Sequence, residues 1–395
     1  MNETSTFTNK SILFVFAGSE IGGAERQGLL LARHLRSKCG ARVQVWGVAA
    51  EREGSVTKQC TENDIVWRPI PFSWPQGHWA YLRAFVRFAF QLRAARPDII
   101  LAYTWLPNVL CGLTWRFSGA LAFYWNQRDE GLELTKSFWH RAAVCLTDKF
   151  VANAAAGRDF LVRTYGLKPA QITLIPNGVM LPAAKQNRHA WRQQLGLSNT
   201  QLVACMIGSL HPYKDHRTLI EAWALVLEAS PAKPLPVLLL AGRFAGEAEA
   251  LQSLADVLCV RENVHFLDSV EDVAGLLGAV DICLHSSRSE GCPNAVLEAM
   301  ASGLPVVATD IAGVREAVGM TGAKCLVPPG DARAFADRIL GMLSDPAGRK
   351  ELGGQLRSRC LQQFAVESML ISSVKLLQND LRFADGQAGA VQGTS

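Results

Sequence analysis

The sequence has 395 residues and a formal net charge of +5, with 49% hydrophobic and 19% charged residues. That length gives room for two or three domains, and the balance of apolar to charged residues excludes a disordered chain. So small a basic excess also excludes a dedicated nucleic-acid binder, although mild attraction to anionic lipid or phosphate-bearing molecules is compatible with it.

Met1 to Lys10 is polar, with none of the basic start and apolar run of a signal peptide, and reads as a flexible N-terminus. From Ser11 onward, short apolar runs alternate with longer helical patterns. Ile12–Ala17, Val43–Val48, Asp98–Tyr103, Leu121–Trp125, Phe150–Asn153 and Ile172–Ile175 are predicted strands. Their apolar character is nearly continuous, as in parallel strands covered on both faces. The second half repeats the pattern with Leu202–Ile207, Val237–Ala241, Val264–Leu267, Ile282–His285, Val306–Thr309 and Lys324–Val327.

This alternation predicts an α/β fold of two Rossmann-like, doubly wound domains, with ligands bound in a cleft between them. The expected domains are 11–180 and 199–365, joined by a polar, turn-rich linker over 181–198. A helix over 366–382 is expected to pack back toward the first domain, followed by a disordered tail over 383–395.

The stretch from Ser286 to Ala308 is the most informative. A strand ends near His285, a turn carries Arg288-Ser289-Glu290-Gly291, and a helix is expected to begin at Pro293 and stop at Gly303. The amides of Gly291, Cys292, Pro293's neighbour Asn294, and Ala295 are then placed to hold a diphosphate at a helix start. Glu290 precedes that helix, and Glu298 lies five residues past Pro293, about 7–8 Å along the axis. Two carboxylates flanking a phosphate can accept hydrogen bonds from sugar and ribose hydroxyls without either being a nucleophile.

Two further loops complete the pattern. Gly208-Ser209-Leu210-His211-Pro212-Tyr213-Lys214-Asp215 follows a predicted strand, with Asp215 capping the next helix. A lysine near a helix start opposes the helix dipole unless an anion is close, so Lys214 suggests a phosphate partner. Gly22 and Gly23 follow the first strand and open the first helix, without the G-x-G-x-x-G spacing of a dinucleotide fingerprint. Pro176-Asn177-Gly178 reads mainly as a turn entering the hinge.

The run from Glu290 through Glu298 to Val307 resembles, without a gap, the signature of the retaining GT-B glycosyltransferases of family 4, the group 1 glycosyl transferases. The resemblance implies that Glu290 contacts a donor sugar and Glu298 the nucleotide ribose. It also implies that Lys214 is half of a phosphate-binding pair, and that Gly22 and Gly23, in a turn similar to the family's Gly-Gly-x-Glu, face the diphosphate and the acceptor. Ser209 stands where the family often has Arg, with Arg288 or Arg243 as compensating cations. Leu267 to Val273, with Leu267 and Val270 at its front, matches the base pocket. A family's acceptor-side His or Asp has no clear equivalent, leaving Asp129, Arg128 and Asn126 as candidates.

The implied activity moves a sugar from a nucleotide-sugar donor, UDP-linked first and GDP-mannose next, to a hydroxyl of a glycan or lipid-linked acceptor. Its setting would be cell-surface polysaccharide, lipopolysaccharide or glycolipid synthesis. No cofactor is expected beyond the nucleotide-sugar substrate. No metal is expected either, because D-x-D is absent and the eight histidines lack ligand spacing. The ten cysteines show no CxxC spacing, and several, such as Cys205 and Cys283, lie in apolar runs, which fits a reducing cytosol. No nucleic-acid partner is expected. Between Trp79 and Arg96, aromatics (Trp79, Tyr81, Phe85, Phe88, Phe90) interleave with arginines. That stretch suits either peripheral contact with the inner membrane surface or an ordinary helix packed on the sheet. Rival readings are a nucleotide-sugar epimerase of the same architecture, an NAD-dependent oxidoreductase, and a non-catalytic glycan-binding relative.

Overall fold

A computed structural model describes residues 6–50, 53–72, 78–231, 233–244 and 246–392. The chain divides into two compact units, Met1–Gly178 with Glu367–Ser395, and Val179–Val366.

The first unit is built on a parallel sheet of β1 (Ser11–Phe16), β2 (Arg42–Val48), β3 (Val66–Ile70), β4 (Ile99–Tyr103), β5 (Ala122–Gln127), β6 (Lys149–Ala152) and β7 (Ile172–Leu174). Their spatial order is β3-β2-β1-β4-β5-β6-β7. Every residue of β1, β4 and β5 is buried, which is why those strands read as continuous apolar runs. β3 escapes that pattern. It is an edge strand with three exposed residues and Pro69 in its middle, and proline is tolerated there because an edge lacks one ladder.

The second unit repeats the arrangement with β8 (Val203–Ile207), β9 (Val237–Ala241), β10 (Val264–Leu267), β11 (Ile282–His285), β12 (Val306–Thr309) and β13 (Leu326–Val327), ordered β10-β9-β8-β11-β12-β13. In each sheet the order reverses beside the unit's own first strand, between β1 and β4 and between β8 and β11. Such switch points open a crevice at the carboxyl ends of the strands, because the loops there leave in opposite directions.

Three expectations need correction. Within 181–198, the helix Arg188–Gln194 is part of the second unit rather than a loose linker. Trp191 donates to Asp272 at 2.8 Å, and the fully buried Arg192 pairs with Asp281 at 2.9 Å. These two anchors are hidden in a stretch whose composition is otherwise polar. At the N-terminus, Phe7 is wholly buried, so residues 6–10 are tied down by one aromatic side chain, while 1–5 lie outside the described residues. At the other end, the helix Val366–Gln392 continues through most of the span expected to be disordered.

That last helix belongs to the first unit and is fastened there by Asp380, which takes a hydrogen bond from Tyr124 and pairs with Lys149 at 2.6 Å. None of the ten cysteines forms a disulfide, and eight are buried. Among the described residues no helix is long and apolar enough to cross a membrane.

Candidate active site

The second unit gathers its charged groups at the carboxyl ends of the two strands that flank the switch point. β8 runs into the loop Gly208–Asp215, and Gly208 is brought against the end of β9 by the hydrogen bond its amide donates to the Ala241 carbonyl. Gly242 makes this approach feasible, since a Cβ there would sit 2.1 Å from the Gly208 carbonyl oxygen. A short 3-10 turn, Pro212–Lys214, then aims Lys214 inward. Asp215 follows in the left-handed region (φ 54°) and caps the helix His216–Ala229 by accepting from Thr218.

β11 ends at His285 and enters the turn Ser286–Gly291. Thr309 at the end of β12 donates to the Ser287 carbonyl at 2.5 Å, and Ser286 donates to the Lys214 carbonyl at 2.9 Å. The two loops are thereby stitched together across 72 residues of sequence. Gly313 supports the same turn from behind, where an added Cβ would meet the Gly291 carbonyl oxygen at 1.9 Å.

The result is a buried ion pair. Lys214 Nζ donates to Glu290 Oε1, and both side chains are largely removed from solvent, with 14% and 13% exposed. Ser287 Oγ donates to the same oxygen at 2.8 Å, and His285 Nε2 lies 3.2 Å from it. Burial alone would raise the Glu290 carboxyl, but the Lys214 ammonium and His285 reverse this and hold it well below the ordinary carboxylate range. Burial likewise opposes the Lys214 ammonium, and Glu290 outweighs it, so that its pKa is raised. Both groups therefore stay ionised, each by virtue of the other.

The helix beyond the turn is Asn294–Ala301, with Pro293 at its N-cap (ψ 103°) rather than at the first helical position. Pro293 supplies the first accepting carbonyl, to Leu297 at 3.1 Å, and Gly303 (φ 78°) ends the helix. Gly291, Cys292, Asn294 and Ala295 thus surround the helix start. Glu298 lies on the helix's buried face, 6% exposed.

Of the cations considered as substitutes for the arginine absent at Ser209, Arg288 is taken by Asp215 at 2.9 Å and is mostly exposed. Arg243 is exposed at the end of β9, its carbonyl receiving Leu210 N. Leu267 ends β10 and Val270 lies in the loop after it, both half-buried.

The first unit's candidates are engaged differently. Gly22 N donates to Glu25 at 3.0 Å, so Glu25 caps the helix Gly23–Ser37. Gln27 makes a two-way pair with the backbone of Gly178, at 2.9 and 3.0 Å. Asn126 is buried in β5 and bonds to Ala102 and Asn108. Asp129 accepts from Gln127 at 2.9 Å and Gly131 N at 2.6 Å, closing its own turn. Burial raises its carboxyl above the ordinary range despite those donors. Arg128 donates to Asn177 at 2.6 Å and lines a cavity of about 30 Å³ beneath Met369, Ser373 and Leu377. Asn177-Gly178 is thus a fixed part of the first unit, held by Arg128 and Gln27.

On the helix His78–Ala95, Phe85 and Phe88 are buried in the core while Leu82, Val86 and Phe90 are exposed. The side chains of Trp79 and Tyr81 lie outside the described residues.

The sequence did not single out His285, His216, Ser287 or Gly313. The signal for His285 was a polar residue closing an otherwise apolar strand, Ile282–His285. His216 is fully buried against Lys214 and His285, and burial first, then Lys214, lowers its pKa to about 4.

Residues 21–181 match the family model described as Glycosyltransferase Family 4, and residues 201–345 match Glycosyl transferases group 1. A D-inositol 3-phosphate glycosyltransferase of Nocardia farcinica is 29% identical over 276 residues, covering 65% of this chain. The match spans 61% of that protein's own length. The crystal structure of Anabaena HepE in complex with UDP and glucose superposes with a TM-score of 0.80 at 22% identity, covering 94% of this chain and all of that one. A glycosyltransferase from Rickettsia africae gives a TM-score of 0.77 at 19% identity, over 94% of this chain and 99% of that one. These likenesses show the fold, which is GT-B.

Proposed function

We propose that this chain, which carries a glycosyltransferase family 4 domain over 21–181 and a group 1 glycosyl transferase domain over 201–345, transfers a sugar from a nucleotide-sugar donor to an acceptor hydroxyl with retention of configuration. The observation that carries this reading is the buried Lys214–Glu290 pair at the switch point of the second sheet.

An ammonium has three donors, and only one is used on Glu290. Lys214 can therefore bind the donor's diphosphate while keeping its carboxylate partner. The backbone amides at the start of Asn294–Ala301 add a second set of donors and the positive end of a helix dipole. As the bond to the sugar breaks, negative charge grows on the departing phosphate, and a preplaced cation in a dry site stabilises it. Glu290 accepts from a sugar hydroxyl, Glu298 holds the ribose, and the base rests against Leu267 to Val273. The departing phosphate takes the acceptor's proton, so no enzyme nucleophile is required. Asp129 and Arg128 act only by shaping the acceptor side. No metal enters this scheme, and turnover should be unchanged by EDTA.

The donor is a UDP-sugar, with GDP-mannose next. The acceptor is a hydroxyl on a glycan or lipid-linked molecule, at the cytoplasmic face of the membrane in surface polysaccharide or glycolipid synthesis. Peripheral membrane contact fits the helix His78–Ala95, whose exposed stripe mixes Leu82, Val86 and Phe90 with Arg83 and Arg87. No acidic residue occurs between Ile65 and Pro97. Reversing Arg83 and Arg87 to Glu should abolish flotation with phosphatidylglycerol vesicles, at roughly 1 kcal/mol per basic residue.

The test is a melting-temperature panel of UDP-glucose, UDP-galactose, UDP-N-acetylglucosamine and GDP-mannose, followed by transfer assays that include inositol 3-phosphate as acceptor. A donor with a Kd of about 10 μM, supplied at about 1 mM, adds close to 3 kcal/mol of stability. If none of the four shifts the transition at that concentration, the reading is abandoned.

A further inference from the structure

Glu290 receives all of its described side-chain contacts on one oxygen. Lys214 Nζ and Ser287 Oγ donate to Oε1, and His285 Nε2 sits 3.2 Å from the same atom. A carboxylate at the end of a glutamate turns readily about its last torsion, because that sp³–sp² rotation has only broad wells. What surrounds Oε1 therefore decides which oxygen is offered outward.

His285 is an unusual residue for its place. It ends β11 between β8 and β12, in register with Ala308, and is 1% exposed. Among the described residues neither ring nitrogen has an aligned hydrogen-bond partner, and the same is true of His216, which is 0% exposed and lies close behind. A buried polar nitrogen without a partner costs about 1–3 kcal/mol, so an apolar residue here would make the resting protein more stable. Hydrogen bonds at such sites are often poorly aligned until the ligand arrives.

We propose that His285 is a positioning residue for Glu290, a role that rests on the donor-binding reading above. Its Nε2–H holds Oε1 while the two remaining donors of Lys214 turn to the diphosphate, and so keeps Oε2 presented to the donor sugar. Ser287 alone is a weaker tether, since a hydroxyl rotates and serves equally well as an acceptor. His285 acts from below the turn on a fixed strand, whereas Lys214 swings on a flexible stem. Its loss should weaken recognition of the sugar while leaving nucleotide binding intact.

The experiment measures Kd for UDP and for UDP-glucose by calorimetry on the full chain, for the parent and for His285→Leu, His285→Gln and His285→Asn. The readout is the ratio of the two affinities, which a general loosening of the fold would not change. The parent should bind UDP-glucose, and His285→Leu should lose about tenfold for it, the worth of one hydrogen bond to a charged group, with UDP changed less than about twofold. Gln, which places an N–H donor at similar reach, should restore most of the ratio, and the shorter Asn should not. Should Leu fail to fold, the Gln and Asn pair still decides the matter. Equal losses for both ligands, or no loss in Leu and Asn, overturn the positioning role. A parent that binds UDP but gains nothing from the sugar in UDP-glucose or GDP-mannose also overturns it. A parent that binds no nucleotide at all overturns the donor reading itself.

Discussion

The two units share one strand order through their first six strands and treat the polar groups at their carboxyl edges in opposite ways. In the first unit those groups are consumed internally: Asn126 by Ala102 and Asn108, Asp129 by Gln127 and Gly131, Arg128 by Asn177, and Gln27 by Gly178. In the second, Lys214 and Glu290 are buried together with two donors and one oxygen still to be used. The same topology thus yields a rigid polar edge in one unit and a charged, receptive one in the other. The switch point supplies a crevice, and the side chains decide whether it has chemistry.

The sharpest way to break this contrast is to remove one member of the ion pair. Lys214→Ala leaves a buried carboxylate unpaired, and truncating one partner of such a pair costs about 3–5 kcal/mol. Turnover with the best donor should fall by at least about a hundredfold, as for other lost transition-state donors. Glu290→Gln should fold better than Lys214→Ala and lose mainly sugar-dependent binding. Turnover within twofold of the parent in both would end the assignment.

The pair also fixes the expected pH behaviour. Glu290 has a depressed folded pKa, so its contribution is complete above the ordinary value of 4.5 and is lost only as pH falls below that range. Lys214 is raised, so its contribution is complete below 10.5 and is lost above it. Between about pH 5 and 10 the donor-induced shift in melting temperature should be flat as far as this pair is concerned; a steep change near neutrality would locate the control elsewhere.

A smaller effect separates backbone support from charge. Gly313→Ala drives a methyl group into the Glu290–Gly291 carbonyls and should cost about 1–3 kcal/mol together with donor affinity. Gly341→Ala, at an exposed position of the helix Ala332–Ser344, meets nothing within 4 Å and should stabilise by up to about 1 kcal/mol with binding unchanged. Equal donor affinities in the two variants would mean that the turn's position is unimportant.

The smallest effect is expected in the first unit. Burial raises the Asp129 carboxyl, so its charge destabilises the folded state as pH climbs through the folded pKa. Asp129→Asn keeps an acceptor for Gly131 N and should leave the melting temperature at pH 7.5 equal or slightly higher, with turnover reduced less than about tenfold. A loss matching that of Glu290→Gln would make the two edges equal partners and erase the distinction between them.

Much of this was legible along the chain, because the relevant signals are local. Alternating apolar runs and helical stretches marked twelve of the thirteen strands, and the missing β3 is an exposed edge strand whose Pro69 breaks the pattern. Glu290, Gly291, Pro293 and Glu298 stand within nine residues, so one strand, turn and helix carry them all. Asp215 as a helix cap was equally local.

What the sequence determined by itself is therefore the α/β alternation and the identity of the site's main loop, since both depend on neighbours a few residues apart. Only the tertiary structure decided that Lys214 meets Glu290, that His285 and Ser287 crowd the same oxygen, that Asp215 pairs with Arg288, and that Arg192 and Trp191 anchor the connector. Most of these contacts span dozens of residues, and each exists because strand order sets β8 beside β11 or because a helix closes over the resulting edge. Local propensity cannot specify which distant loops a sheet will bring together.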